Sequence, residues 1–426
     1  MTASSYLRKE IFGGSAASAL VAIKKLESQS NVPKSSQIDL TIKTERGLTV
    51  HPLLLGSAKS RLLLPNAPSS SHFEHLRTKK GKIVNLFEII AEEATSQAQQ
   101  AFDERVIYGG PLFDHFGHLI AESVHRIWPR LVYPELSKLK IAFHPTPTRS
   151  GYSQVKHAWM ISVLSYMGVS RSDIILIDQP TYFRELLIPQ QARGQIFSTA
   201  DPKYNELFPL IEKSTGSAFQ RTEKFIYVSR RRYLHSGSYL GEVLVEDVLQ
   251  SVGFTIVYPE DWDVKDLVDL FCGAEAIVFS EGSAIHVLEL CGKISASVFV
   301  ICRRSTSFVK TVFGQILSEF AARHVLIENT EVVTPLDWDR SKNLPTVGNA
   351  SAIVDIKSLL ETLSNDISIS IPVPSDEAIR HAQQRDLLRM ILDKRSTKAG
   401  TDVCKLGELL IILRKQFEDH YLLEDR

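Results

Sequence analysis

The signals that most quickly place a chain are scarce here. Only four cysteines occur in 426 residues, Cys272, Cys291, Cys302 and Cys404, all in apolar surroundings and with no C-x-x-C pair. That argues against a disulfide framework and a structural zinc site, and fits a reducing compartment. No strand runs into G-x-G-x-x-G, so a nicotinamide or flavin cofactor has no fingerprint to rest on. Neither G-x-x-x-x-G-K-[ST] nor G-x-S-x-G is present, which weakens ATPase and α/β-hydrolase readings. Excess charge is also missing: lysine plus arginine and aspartate plus glutamate stand at 49 each. No overall field draws the chain to nucleic acid or an anionic membrane, and an anionic ligand must be held by a local site. The small-residue run at 11–23 is too short and too weakly apolar to span a bilayer and lacks a convincing cleavage site. The chain therefore reads as cytoplasmic, with loose peripheral attachment to a membrane left open.

What is present is an ordinary globular composition, 44% hydrophobic and 23% charged, on a length that suggests two domains plus appendages. Residues 1–101 alternate polar stretches with short apolar runs; the candidate strands are 38–42, 51–55 and 82–87. His72 and His75 fall in a serine-rich stretch after Pro68 and read as loop histidines. From Arg105 the rhythm becomes regular: strands at 106–108, 139–143, 174–177 and 185–188 alternate with helices at 116–131 and 154–167. This is the pattern of parallel β-α-β units.

The polar stretch 202–221 reads as an interdomain linker. Beyond it, strands at 225–229, 254–258, 276–280, 298–302 and 324–327 alternate with helices at 240–252, 264–272, 283–290 and 309–320. Continuously apolar strands are those buried on both faces, so this half reads as a doubly wound, Rossmann-like sheet. A second polar linker at 339–350 leads to a helix at 353–363 and a charged tail of helical pattern from Ser375. Its apolar stripes, Leu387 to Leu392 and Leu406 to Leu413, would pack across the other domain or onto a second subunit. The expected architecture is α/β: two Rossmann-like lobes facing a cleft with a helical C-terminal tail, divided at 1–215, 216–345 and 346–426.

The densest chemistry lies in Gly109 to Pro129, GGPLFDHFGHLIAESVHRIWP. On one continuous helix His118, Glu122 and Arg126 would stand four apart on a single face, with His115 one turn earlier. A buried row of charges without partners is costly, so the row is either a solvated face or the lining of a cleft. Zinc on His115, His118 and Glu122 is conceivable but lacks a further ligand; a histidine beside a carboxylate suits proton transfer at least as well. His125 reads as a partly exposed surface residue.

Two strand ends of the second half carry groups suited to phosphate. Tyr227-Val228-Ser229-Arg230-Arg231-Arg232 runs a buried strand into three guanidinium groups, which bind phosphate oxygens in forked pairs; the bland alternative is a solvated basic turn. Ser280-Glu281-Gly282-Ser283 is a strand, a glycine turn and a helix start, a natural anion seat, or simply a Ser283 N-cap. Glu281 would suit a sugar hydroxyl. Asp261-Trp262-Asp263 reads as an N-cap rather than a cation pair.

Taken together, Gly117-His118-x-x-x-Glu122-x-x-x-Arg126, Tyr227-Val228-Ser229-Arg230, Gly253-Phe254, Tyr258-Pro259-Glu260 and Glu281-Gly282-Ser283-Ala284 resemble glycosyltransferase family 61, over about residues 106–303. The resemblance implies a GT-B type fold, a nucleotide-sugar donor, a glycan acceptor, inversion at the anomeric carbon, no cofactor and no obligatory metal, in capsular or other surface polysaccharide biosynthesis. An inverting transfer needs a base for the acceptor hydroxyl, and on chemistry His118 and Glu122 are the candidate catalytic residues, with His115 and Arg126 on the acceptor side. The resemblance places Arg230, Glu242, Gly282 and Ser283 on the nucleotide sugar, and the chemistry of the strand ends adds Ser229, Arg232 and Glu281. Three positions depart from the family pattern: His115 and Gly241 stand where asparagine is frequent, and Glu281 where histidine is. Either His118 or Glu122 would be the base. A pyruvyl-type transferase using phosphoenolpyruvate, and a non-catalytic scaffold of polysaccharide assembly, are the alternatives. A homo-oligomer through the C-terminal helices would fit the tail.

Overall fold

The computed structural model describes residues 40–198 and 223–397, apart from short stretches within each. The run 11–23, His72, the linker at 202–221, most of that at 339–350 and the stripe 406–413 lie outside the described residues.

The first half builds a five-stranded sheet from β1 (Ile42–Val50), β2 (Gln100–Leu112), β3 (Ile141–Pro145), β4 (Ile174–Leu176) and β5 (Thr181–Pro189), in the order β1-β5-β2-β3-β4. All its pairs are parallel except β1 with β5. The strand expected at 51–55 is absent: the regular strand ends at Val50, and Leu54 makes only an isolated bridge to Arg61. The single helix expected over 116–131 is broken into three. α1 (Phe116–Ala121) is followed by a 3-10 turn at Ser123–Arg126 and by α2 (Trp128–Val132). The break falls at Glu122, whose φ of −137° and ψ of −50° are not helical, and Pro129 then enters at the start of α2, where proline is tolerated. A third helix, α3 (Ala158–Tyr166), leads toward β4.

The second half is a fully parallel sheet of β6 (Phe225–Val228), β7 (Thr255–Val257), β8 (Ala276–Ser280), β9 (Ile294–Ile301) and β10 (Ala321–Ile327), in the order β7-β6-β8-β9-β10. Every residue of β8, AIVFS, is buried, as a strand covered by helices on both faces requires. The helices are α4 (Glu242–Ser251), α5 (Val264–Gly273), the single turn α6 (Leu288–Cys291) and α7 (Thr306–Phe320). On α5 the buried Val264, Leu267, Val268 and Phe271 recur at helical spacing. The helix expected at 283–290 is instead a 3-10 turn, Ser283–Val287, followed by α6.

One apolar cluster runs through both halves, joining Leu119, Ile120, Val124 and Ile127 to Phe279, Ile285, Val287 and Leu288. Arg193, just beyond β5, reaches across to Glu319 on α7 at 2.7 Å and to Glu289 on α6 at 3.5 Å. After α7 come α8 (Ile356–Ile367) and α9 (Asp376–Thr397). The described part of the tail does not cross to the other half. Asp386 accepts from the Gly241 N–H at 2.8 Å and Gln383 donates to the Val354 carbonyl at 3.2 Å, so α9 lies on the second half of its own chain.

Candidate active site

Glu122 is the residue at which α1 ends, four beyond His118, and its carboxylate faces the His118 ring. His118 Nδ1 lies 2.6 Å from Glu122 Oε1 and His75 Nε2 lies 3.0 Å from Glu122 Oε2. The Glu122 side chain is 0% exposed and that of His118 31%. The pair of imidazoles therefore supplies what a buried carboxylate demands, two N–H donors. With Nδ1–H given to Glu122, the other ring nitrogen of a neutral His118, Nε2, is an acceptor. Among the described residues no group of three or more His, Cys, Asp or Glu side chains is placed to hold a metal ion.

His75 lies in an irregular stretch just before the strand Leu76–Lys79, as a loop histidine would, but it is not exposed. It is buried and fixed in front of Glu122, its N–H bound to Asn85 at 3.0 Å and its ring against Phe87 and Phe113. No signal within residues 70–80 announces this, because its partner lies 47 residues away. His115 caps α1, accepting from the His118 N–H at 3.4 Å, and its ring is 4.9 Å from that of His118. Burial, helped by the charges of His118, His286 and Arg230 and opposed by Asp114, pushes its pKa down to about 4. It is a neutral imidazole at ordinary pH.

Arg126 does not join the row. The 3-10 turn swings it into the first half's interior, where its guanidinium donates to the carbonyls of Pro189 and Glu74 and lies 5.6 Å from the Tyr108 ring. It is 2% exposed. A four-residue step lines residues up only on an unbroken α-helix. His125 is likewise fully buried, 3.8 Å from Glu289.

The second cluster stands at the strand ends of β6 and β8. Arg230 donates through Nε to the Gly237 carbonyl at 3.0 Å and lies 5.6 Å from the Tyr233 ring. A Cβ on Gly282 would overlap the Arg230 guanidinium; the glycine exists for that close approach. The two clusters meet. A Cβ on Gly117 would come within 2.9 Å of His286 and 3.1 Å of Ser283, and the charges of both Arg230 and His286 act on His115.

Other expected donor residues are engaged within the protein. Glu242 is fully buried, accepting from Tyr227 Oη and the Arg230 N–H at 2.8 Å each and from Ser238; burial raises its pKa against these hydrogen bonds. Gly241 before it has φ +86°, a conformation that glycine adopts freely and asparagine better than most residues. Ser229 is buried and bonded to Glu246. Glu281 holds the backbone N–H groups of Arg303 and Arg304 at 3.0 and 3.1 Å and pairs with the Arg304 guanidinium, so its carboxylate is saturated rather than open to a sugar hydroxyl. Arg232 points outward, paired with Asp261 at 2.7 Å and stacked 4.0 Å from the Tyr258 ring centre. Asp263 opens α5 without a side-chain cap bond.

His286 was not singled out from sequence. Its Nδ1 lies 2.7 Å from Glu289 Oε1, and burial alone would raise the Glu289 pKa, but that hydrogen bond and the charges of His286, Arg193 and His125 hold it low. The usable signal is a histidine four residues after Gly282 and three before a glutamate.

The family model of glycosyltransferase 61 matches residues 116–295, from the first residue of α1 to just inside β9. No curated protein matches the chain.

Proposed function

We propose, on the premise that residues 116–295 carry the glycosyltransferase family 61 signature, that this chain transfers a sugar from a nucleotide-sugar donor to a glycan acceptor with inversion. The observation that carries the mechanism is the His118–Glu122 pair: a half-exposed imidazole whose Nδ1 is tied to a fully buried carboxylate. Glu122 has no surface on which an acceptor could sit. His118 is therefore the base and Glu122 its orienting partner, with His75 holding the carboxylate from the other side.

In an inverting transfer the base removes the acceptor hydroxyl proton as that oxygen attacks the anomeric carbon, and the nucleoside diphosphate leaves from the opposite face. Fixing the tautomer and aiming Nε2 lowers the entropic part of that barrier. Arg230, beside Gly282, supplies positive charge to the departing diphosphate. Ser283 borders the same space, facing Gly117. The arrangement is read as two lobes of GT-B type, 1–215 on the acceptor side and 216–345 on the donor side, with 346–426 as a helical extension. The reaction is metal-independent in this reading and serves capsular or other surface polysaccharide synthesis on the cytoplasmic side. Among the described residues no helix is long and apolar enough to cross a membrane.

The test is transfer from a panel of nucleotide sugars, with the donor verified by calorimetry against UDP, GDP and phosphoenolpyruvate. His118→Ala should lower the rate by roughly 10²–10⁴-fold, the contribution of a positioned base. Normal rates in both His118→Ala and Glu122→Gln would end this reading.

A further inference from the structure

The start of α1 carries more chemistry than the proton transfer uses. Asp114 and Phe116 flank His115, whose ring is 4.9 Å from that of His118, and the Asp114 charge acts on the His115 ring. The start of α3 stands against them. His157 Nε2 lies 3.1 Å from Asp114 Oδ1, and the His157 ring is stacked on that of Trp159, with centroids 5.5 Å and planes 13° apart. Trp159 in turn meets Phe116 edge to face at 5.9 Å. Three aromatic rings and a carboxylate therefore adjoin the candidate base.

Local stability does not account for this grouping. His157 immediately precedes α3, yet its side chain makes no cap bond there; it turns to Asp114 and Trp159 instead. The side chains of Asp114 and His157 are 32% and 40% exposed, so solvent screens their pairing and little stability comes from it. Trp159 and Phe116 are only half-buried, at the edge of the apolar cluster that runs through both halves. The direction in which Trp159 projects follows from its helix. Ser162 accepts from the Val264 N–H at 2.8 Å, and Tyr166 donates to the Leu290 carbonyl at 3.3 Å; both partners belong to the second half. Trp159 stands three residues before Ser162 and seven before Tyr166, so it shares the face of α3 that meets the second half. Half-buried aromatics with a few convergent polar groups, beside a reactive pair, are the composition of a ligand site.

We propose that Trp159, with Phe116 and His157 beside it and Asp114 at its rim, seats the terminal sugar of the acceptor, and that this sugar is a neutral pyranose. The ring C–H groups of a pyranose form an apolar face, which packs against the electron-rich face of an aromatic ring. Hydroxyl groups at the edge of that sugar donate to a carboxylate. Asp114 would repel a uronic acid in the same place. With the ring held there, one of its hydroxyls is brought to the neighbourhood of His118. The inference names the acceptor class of the reaction proposed above and rests on that reading for the sugar's role; binding of the sugar does not itself require transfer.

Saturation-transfer NMR on the full chain tests this with the methyl glycosides of glucose, galactose, mannose, N-acetylglucosamine and glucuronic acid. At least one neutral glycoside should bind, with its ring C–H protons the most strongly saturated, and the glucuronide should bind at least about tenfold more weakly. Trp159→Ala should weaken the neutral glycoside about tenfold, the loss of one aromatic contact, with circular dichroism unchanged, and Trp159→Phe should recover part of it. If Trp159→Ala does not fold, Asp114→Ala, at an exposed position, should still weaken binding several-fold (roughly, from the loss of one charge-assisted hydrogen bond). In the transfer assay both variants should raise the KM for the acceptor while the KM for the donor stays near wild type. A wild-type chain that binds none of the neutral glycosides, equal binding of the glucuronide, or folded variants with wild-type affinity would each overturn the proposal. Trp159-dependent sugar binding without transfer from any donor would sink the glycosyltransferase reading alone. Transfer that depends on His118, with the acceptor KM unmoved in Trp159→Ala, would sink this inference alone.

Discussion

Glu122 Oε1 receives His118 Nδ1 at 2.6 Å although the helix that should carry both ends one residue before Glu122. The four-residue step still holds there, because the Glu122 N–H bonds to the His118 carbonyl at 3.0 Å as the helix ends. The second oxygen meets His75.

Removing His75 tests whether that second contact matters. His75→Ala leaves a buried carboxylate oxygen without its donor, which costs about 1–3 kcal/mol, read as a fall in the unfolding midpoint. If His75 also positions Glu122, kcat should fall while KM for the acceptor stays near wild type. His75→Asn, which can still donate to the carboxylate, should recover part of kcat. A variant with lost stability and full kcat would reduce His75 to a packing residue.

Gly282→Ala asks whether Arg230 belongs to the donor site. The backbone at Gly282 has φ −175°, open to any residue, so folding should survive. The new methyl must displace the Arg230 guanidinium, and donor affinity should drop by about tenfold, one charge-assisted contact. Unchanged affinity in the folded variant would take Arg230 out of the site.

Arg232→Ala should do little. Its guanidinium is about two-fifths exposed and already paired with Asp261, and ion pairs screened by solvent contribute little. Donor binding within about twofold of wild type is expected by titration. A large loss would return Arg232 to the donor-binding role that its place in the triple arginine run suggested.

Acid should destabilise this protein over a definite window. His144 and His125, both fully buried, have pKa values pushed down to about 3, burial being the leading cause in each; for His125 the Glu289 charge opposes it. His115 is pushed to about 4. In the unfolded chain these groups titrate near 6.5. Between that value and about 4 the unfolded state binds more protons, so stability is full above the unfolded pKa and falls as pH drops. His144, in β3 with its ring edge-on to Tyr108, gives the cleanest variant. His144→Leu should flatten the slope of stability against pH in urea titrations between about pH 6.5 and about 3. An unchanged slope would mean that the acid response arises elsewhere.

Much of the second half was legible because its information is local. AIVFS at 276–280 is an unbroken apolar run that only a doubly covered strand can bury, and it is β8 residue for residue. Strands 225–229 and 254–258 were placed within a residue or two of β6 and β7. The two clusters of candidate side chains were also visible, since His118 with Glu122 and Arg230 with Gly282 each stand out as residue types. Their roles within the neighbourhood were not. Glu242, Ser229 and Glu281 look like ligand groups by type, yet each is buried and satisfied by the protein itself.

The sequence by itself determined the alternation of buried strands and amphipathic helices, since apolar periodicity is a property of neighbouring residues. Only the tertiary structure decided which polar groups stay available. Whether a charge is buried, and what answers it, depends on partners distant in the chain: His75 for Glu122, the carbonyls of Glu74 and Pro189 for Arg126, the 303–304 turn for Glu281. The free energy of a buried ion is set by those partners, and no local pattern encodes them.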